Sequence, residues 1–506
     1  PSGEPADYSP ENVPYQPKNV IPVSADGLLP QDLVLVAGYP GFTQRLNTAS
    51  EMQAVVEVST PILVQRLREQ IAVLKGLSKS DPTLAIKLSS NIFSLENAFK
   101  KYDSGLEALE RIRFMEQKRQ SEAEFLAWVE SDPARKDKYA TALAKIEQRS
   151  QANLDGWAKS NSLMELSGSS SILASLVRTV RKIQQAQLPD EDRRSGFQER
   201  DWQRMKQADT TAQKRYDRRI DISVISLMVK RALRLPVEQQ PKEALTALLG
   251  EDYLSLGEPQ ILARIEARLA GTAFENLERR IELFERGTVE DVKASADPML
   301  VVAREFANLV ETMTRVNERR DGDLVEHMPL YIEALEGFAR SKGARLAPDA
   351  NSTLRITYGH VEGYRKPNGK WQTPFTHLDE MVNKQHQYGK EDFEVPDNVR
   401  RAFHVANHEA YASQASGQVP LNFLATVDTT GGNSGSAAFN KHGELVGLLF
   451  DGLEETQYSD YLFDKGVRSI LVDIRYFLWT LKNVEKADHL LQEIKPRSRC
   501  EEMFRP

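Results

Sequence analysis

Apolar and polar residues alternate in two different rhythms along this chain of 506 residues. Leu33-Val34-Leu35-Val36-Ala37 is an unbroken apolar run ended by Gly38-Tyr39-Pro40-Gly41. Glycine permits positive φ and proline presets a turn, so the pattern predicts a buried strand entering a tight loop. Before it, Pro1 to Asp32 is proline-rich and polar and reads as an extended leading loop. From Thr48 to about Ala350 the apolar positions recur at helical spacing. Ile220, Val224, Leu227, Met228 and Leu235 lie along one face, with Pro236 as a stop. Ile261, Ile265 and Leu269 form another, with Pro259 near the start and Gly271 past the end. Similar stripes cover Val55 to Leu74, Leu106 to Val129, Ser169 to Gln185, Leu300 to Val316 and Leu324 to Arg340.

Past Leu346 the period shortens again. Leu354 to Tyr358 alternates, Trp371 to Thr376 reads as an extended piece, and Leu378 to Asn383 as a short helix. Pro420 to Ala425, Ala437 to Asn440, Glu444 to Phe450 and Val467 to Val472 read as strands, and Ile474 to Ile494 as one closing helix. The order β, helical block, β, helix predicts one β-barrel begun at residues 20 to 47 and completed after residue 350. A helical domain is inserted between two of its strands.

Charge and cysteine use narrow the functional classes. Lys plus Arg number 66 and Asp plus Glu 73, a net charge of −7 that gives no electrostatic argument for nucleic acid. The basic cluster Lys495 to Arg499 is short and reads as a solvated tail. A single cysteine, Cys500, excludes an internal disulfide and a cysteine-built metal site. No run of eighteen apolar residues predicts a membrane span, and no signal-peptide pattern is legible. The chain opens at Pro1 in a polar stretch and reads as a piece of a longer polypeptide.

The chemistry concentrates in Thr429-Thr430-Gly431-Gly432-Asn433-Ser434-Gly435-Ser436. Glycine before a serine lets main-chain N–H groups converge where an oxyanion would develop. Glycine after it leaves the line of attack open. Gly-Asn-Ser-Gly resembles the Gly-Asp-Ser-Gly of chymotrypsin-fold peptidases, and it is not the Gly-x-Ser-x-Gly elbow of α/β-hydrolases. Taken alone, the motif reads equally well as a glycine-rich hairpin turn with an idle serine. His404 and His408 have i, i+4 spacing, but no third metal ligand accompanies them. His360, His377, His442, His327, His386 and His489 are better explained by turns, strands and helical surfaces.

The wider pattern is similar to the bacterial dipeptidyl-peptidase 7 and 11 family of serine exopeptidases. The likeness rests on Asn422-Phe423-Leu424-Ala425 with Thr429 to Ser436, then Gly443 to Leu448 and Phe450-Asp451-Gly452. Ser459-Asp460-Tyr461, Val472-Asp473-Ile474-Arg475-Tyr476 and Ala487-Asp488-His489 continue it. Gly38 to Gly41, Thr357-Tyr358-Gly359 and Thr373 to Thr376 match in order.

The resemblance implies an α+β fold: a chymotrypsin-like C-terminal β-barrel with a large inserted all-helical domain, the first barrel being missing from this chain. The expected parts are the start of the barrel at 1–47, a helical cap at 48–350, the rest of the barrel at 351–473, and a C-terminal helix and tail at 474–506. It implies release of dipeptides from peptide N-termini, with Ser434 as nucleophile and the amides of Gly432 and Ser434 as oxyanion hole. The general-base histidine and its aspartate are expected in the missing N-terminal barrel segment, so this chain alone is expected to be inactive.

Gly452, eighteen positions after Ser434, is expected to floor the pocket for the residue before the cut bond. Arginine there would select acidic side chains; glycine implies an apolar preference, as in the dipeptidyl-peptidase 7 branch. Asp451 and Asn97 are candidates for gripping the substrate's α-ammonium, Asn97 because Asn97-Ala98-Phe99-Lys100 resembles a family segment. Asn433 stands where related zymogens carry aspartate, which argues against activation by a buried new N-terminus. The resemblance implies a peptide as partner, no cofactor or metal, no nucleic acid, and a periplasmic, cell-surface or secreted location, and it leaves a homodimer open. The rival readings are an endopeptidase of the same fold and an inert binding or scaffold protein.

Overall fold

A computed structural model of the chain describes residues 9–11, 17–389 and 393–498. Parts of the leading loop, residues 390–392 and the tail with Arg499 and Cys500 lie outside them. The chain forms two compact units, Pro1–Arg45 with Pro348–Pro506, and Leu46–Ala347.

The Leu46–Ala347 unit is helical. Its three longest helices, Pro82–Arg111, Pro133–Ser167 and Pro298–Val325, all begin with the same two residues, aspartate then proline. The carboxylates of Asp81, Asp132 and Asp297 accept main-chain N–H groups of the first turn, which lack intrahelical acceptors. Proline in the next position has no N–H to lose, and its φ already suits a helix. The expected face of Ile261, Ile265 and Leu269 is fully buried on the helix Glu258–Ala270. Those residues join one large core with Leu166, Leu173, Ile225 and Phe306. A smaller aromatic core gathers Phe125, Tyr331 and Phe338, with Phe125 edge-on to both partners at 6.1 and 5.6 Å between centroids.

Two continuous apolar stripes conceal breaks. Leu106 to Val129 is not one helix, because Arg113 sits at φ 54° between Pro82–Arg111 and Phe114–Glu130. The closing stretch is likewise two helices, Ile474–Asn483 and Asp488–Ile494, parted by Lys486 at φ 54°. In both places the apolar rhythm runs on while one residue takes a left-handed backbone.

Among the described residues the sheet unit holds nine strands: β1 (Leu33–Gly38), β2 (Arg355–His360), β3 (Tyr364–Arg365), β4 (Trp371–Gln372), β5 (Phe375–His377), β6 (Pro420–Ala425), β7 (Ala437–Phe439), β8 (Leu445–Gly452) and β9 (Ser469–Asp473). Seven form one antiparallel sheet in the order β2-β1-β7-β8-β9-β6-β5, and β3 and β4 form a separate ribbon. The stretch Trp371 to Thr376 is therefore two strands in two sheets, divided at Thr373-Pro374, where proline has no N–H for a ladder. The sheet curls until the end of β2 meets β6. Val361 bridges Ala425, Glu362 N–H donates to Leu424 O at 3.1 Å, and Thr426 N–H donates to His360 O at 3.0 Å. Val34, Val36, Ala438, Val446, Phe423 and Leu471 fill the interior.

The Val472–Tyr476 motif has a structural explanation. Asp473 caps the helix Ile474–Asn483 and forms a buried pair with Arg475, Nη2 to Oδ2 at 2.7 Å. The same guanidinium donates to the carbonyls of Asp26 and Leu28, fastening the leading segment to the sheet. Gly27 is required there: its φ is +67°, and an added Cβ would lie 2.3 Å from Arg475 Nε.

Candidate active site

The Thr429–Ser436 loop joins β6 to β7, and short contacts set its shape. Asn433, 2 % accessible, accepts the N–H of Thr430 on its side-chain oxygen at 3.1 Å, while its own N–H donates to Thr430 O at 3.1 Å. Ser436 N–H donates to Asn433 O at 2.8 Å. The far side is pinned to β8: Gly435 N–H donates to Leu449 O at 2.7 Å, and Leu449 N–H to Ser436 O at 2.9 Å. The asparagine noted for its missing charge is thus the residue that folds the loop.

The Gly38–Gly41 turn lies directly against this loop. Gly41 N–H donates to Gly431 O at 2.7 Å. Gly432 has φ +102°, and an added Cβ would stand 2.6 Å from Tyr39 O and 2.8 Å from Gly41 N. A Cβ on Gly41 would meet Gly431 O at 2.7 Å, and one on Gly38 would meet Ser436 Oγ and Asn433 Nδ2. Real Cβ atoms do not approach backbone so closely, and L-residues rarely adopt such a φ. Two glycine motifs far apart in sequence are halves of one close approach.

Ser434 is exposed at the tip. Among the described residues, no group hydrogen-bonds its hydroxyl, and no protein acceptor meets the N–H groups of Gly432 or Ser434. An acyl-transfer site requires a hydroxyl with free main-chain N–H groups converging where the oxyanion develops. The other half of the chemistry is not in contact with it. His408 is committed elsewhere: its Nδ1 accepts Trp479 Nε1–H at 3.1 Å, and its Nε2 lies 2.8 Å from Phe403 O. It stacks on Trp479 and is half-buried. His377 Nδ1 lies 3.3 Å from Glu380, and the main-chain N–H of His360 donates to Thr426 Oγ1. No group of three or more metal-ligating side chains occurs among the described residues.

Asp451 and Gly452 end β8, two and three residues beyond Leu449, where that strand holds the serine loop. Phe450 is the extra residue of a bulge between Leu449 and Asp451, and it is 44 % exposed. The Asp451 carboxylate accepts Gly452 N–H at 2.8 Å. At Gly452 an added Cβ would find nothing nearer than 3.8 Å, so neither crowding nor backbone conformation requires glycine there. Just beyond, Tyr364 donates its hydroxyl to Glu455 at 3.1 Å; burial and that carboxylate push the phenol up to about 12. Asn97 is exposed on the helix Pro82–Arg111 of the other unit.

An exposed serine on a glycine-rich loop between strands of a curled antiparallel sheet fits a hydrolase of the serine-peptidase type. The peptidase S46 family model matches residues 1–496, and the chain belongs to that family. It is 31 % identical to an Asp/Glu-specific dipeptidyl-peptidase of Shewanella putrefaciens, across 97 % of this chain and 68 % of that protein. It is 27 % identical to a dipeptidyl-peptidase 7 of Capnocytophaga gingivalis, across 97 % and 67 %. A crystal structure of Porphyromonas endodontalis DPP11 in complex with the dipeptide Arg-Glu superposes with a TM-score of 0.75 at 26 % identity, covering 98 % of this chain and 69 % of that one. The apolar preference expected from Gly452 gains no support from these relatives, several of which are named Asp/Glu-specific.

Proposed function

We propose that this chain carries the nucleophile and oxyanion hole of a serine dipeptidyl-peptidase. Ser434 attacks the carbonyl carbon of the peptide's second residue and passes its proton through a base to the leaving nitrogen, while the amides of Gly432 and Ser434 hold the tetrahedral oxyanion. The C–N bond breaks to free the shortened peptide as an amine, and water then hydrolyses the acyl-enzyme to release the dipeptide. The observation that carries this reading is the exposed Ser434 on a loop whose path requires glycine at 432 and whose Gly432 and Ser434 N–H groups meet no protein acceptor among the described residues. Membership of the peptidase S46 family supports it.

A serine hydroxyl is a weak nucleophile without a base. No imidazole reaches Ser434 among the described residues, so the reading assigns the base to a histidine outside them, on a further barrel of chymotrypsin type. The experiment is hydrolysis of dipeptidyl-arylamides by the full-length protein and its Ser434→Ala variant. Release of dipeptide by the parent and its loss in the variant are expected. Unchanged release in the variant overturns the assignment.

We assign the residue before the cut bond to the space beside Gly452. Glycine brings no charge of its own to that space, and on this reading an apolar side chain is favoured over a carboxylate. A Gly452→Arg variant would provide a charge-assisted partner and is expected to turn preference toward Asp or Glu. Acidic preference already present in the parent would reject this assignment while leaving Ser434 in place.

A further inference from the structure

The chain leaves the sheet unit after Arg45 and returns at Pro348. Both crossings are tied together and tied to the serine loop. Asp349 Oδ1 accepts Thr43 Oγ1–H at 2.5 Å and Arg45 N–H at 3.0 Å, while Ala350 N–H donates to Thr43 Oγ1 at 2.8 Å. Arg45 then turns its guanidinium to the loop. Nη1 and Nη2 meet the two carboxylate oxygens of Asp428 at 2.6 and 2.7 Å, and Nε and Nη2 reach Ser459 O at 3.1 and 2.6 Å. Gln44 N–H donates to Asp460 O at 2.8 Å, and the Asp460 carboxylate accepts the hydroxyl of Thr430. Residues 44 and 45 thus hold the start of the loop, Asp428 directly and Thr430 through Asp460, where the chain runs into Gly431–Ser434.

We propose that Arg45 is a positioning residue for the reaction at Ser434. Its planar fork holds Asp428 and the Ser459 carbonyl at fixed separation, and so sets the direction in which the Gly432 and Ser434 amides point. Lysine offers a point charge without a fork and cannot hold both partners in one plane. The pair is only partly buried, 21 % and 35 % exposed at the two side chains, so its contribution to global stability is small. Its effect falls on geometry. A displacement of about 1 Å at a catalytic group can cost on the order of 100-fold in rate. This inference rests on the reading of Ser434 as nucleophile.

The test uses the full-length protein with Arg45→Lys and Arg45→Met. For both variants kcat is expected to fall roughly 10- to 100-fold with KM within about twofold, at a melting temperature close to the parent's. The rate at which a fluorophosphonate labels Ser434 should fall by the same factor. Adding Asp428→Glu to Arg45→Lys, which lengthens the carboxylate arm, should recover part of the loss. Hydrogen exchange supplies a readout independent of turnover: amides of residues 428–436 should exchange faster in Arg45→Met than in the parent. Unchanged kcat, labelling and exchange in folded variants would overturn the proposal. A parent that is never labelled at Ser434, while exchange still responds to Arg45→Met, would instead sink the nucleophile assignment and leave the mechanical link standing.

Discussion

In the helical unit, shape comes from side chains such as Leu166, Ile225 and Phe306, all fully buried in one large shared core. Around Ser434, shape comes from side chains left out. Gly38, Gly41 and Gly432 each stand where a single methyl group would strike a neighbouring chain atom. A core with many members spreads the loss of any one contact over its neighbours. A close approach between two main chains has no neighbour to share with. The contrast extends to charge. Arg231 of the helical unit pairs with Glu69 and Glu165 and reaches one carbonyl, Ile62 O, only at 3.4 Å, so it links helices rather than a loop. Arg45, Arg468 and Arg475 of the sheet unit each bind a carboxylate and backbone carbonyls together, so each fixes the path of a loop. The difference teaches where substitutions act. In the helical unit they are expected to change stability; near the serine loop, with Ser434 read as the nucleophile, they are expected to change chemistry.

That contrast can be broken in graded steps. The largest expected effect is that of Ser434→Ala, which should lower dipeptidyl-arylamide turnover by about 10⁵ to 10⁶ while leaving the thermal melt unchanged. The side chain is exposed and makes no hydrogen bond among the described residues, so nothing in the fold depends on it. Next is Gly432→Ala, expected to cost about 10² to 10³ in kcat through a displaced oxyanion donor. Gly452→Ala, at a glycine with room to spare, should stay within about 0.5 kcal/mol of parental stability. If those two alanines behave alike, the distinction between required and permitted glycines fails. In the helical core, Ile225→Val should lower stability by about 0.5–1.5 kcal/mol in chemical denaturation and leave kcat/KM of the folded enzyme unchanged.

The smallest expected effect concerns pH. Asp217 caps the helix Arg218–Leu233, and the hydrogen bond from Arg219 holds its carboxyl down to about 2. A depressed acid stabilises fully above its unfolded pKa and loses that contribution as pH falls through the folded value. The contribution is therefore complete above about pH 4 and disappears toward pH 2. Asp217→Asn keeps a capping oxygen and should flatten the decline of melting temperature across that interval. An unchanged decline would remove Asp217 from the explanation of acid sensitivity.

How much of this was legible depends on the range of each cause. β1 could be read because its apolar run and the Gly38–Gly41 turn are both local. The Asp-Pro starts at 81–82, 132–133 and 297–298 are equally local and carried a clear signal, but the apolar stripes alone do not use it. Arg113 and Lys486 could not be read, since nothing in the hydrophobic rhythm marks a residue at φ 54°. An exposed glycine-rich loop was legible from Gly-Asn-Ser-Gly, while the reason for Gly432 was not: the atoms it must avoid belong to Tyr39 and Gly41. Arg45 and Asp428, 383 positions apart, have no local pattern joining them and became visible only when the fold brought them together. The fate of His408 shows the reverse case, where spacing suggested a metal pair and packing under Trp479 supplied both ring nitrogens with partners.

The most direct measurement is to label the full-length protein with a fluorophosphonate and map the modified peptide by mass spectrometry. The account predicts one adduct, on Ser434, with loss of dipeptide release in proportion to labelling. An active protein that is labelled on another serine, or is inhibited with Ser434 unmodified, would contradict it.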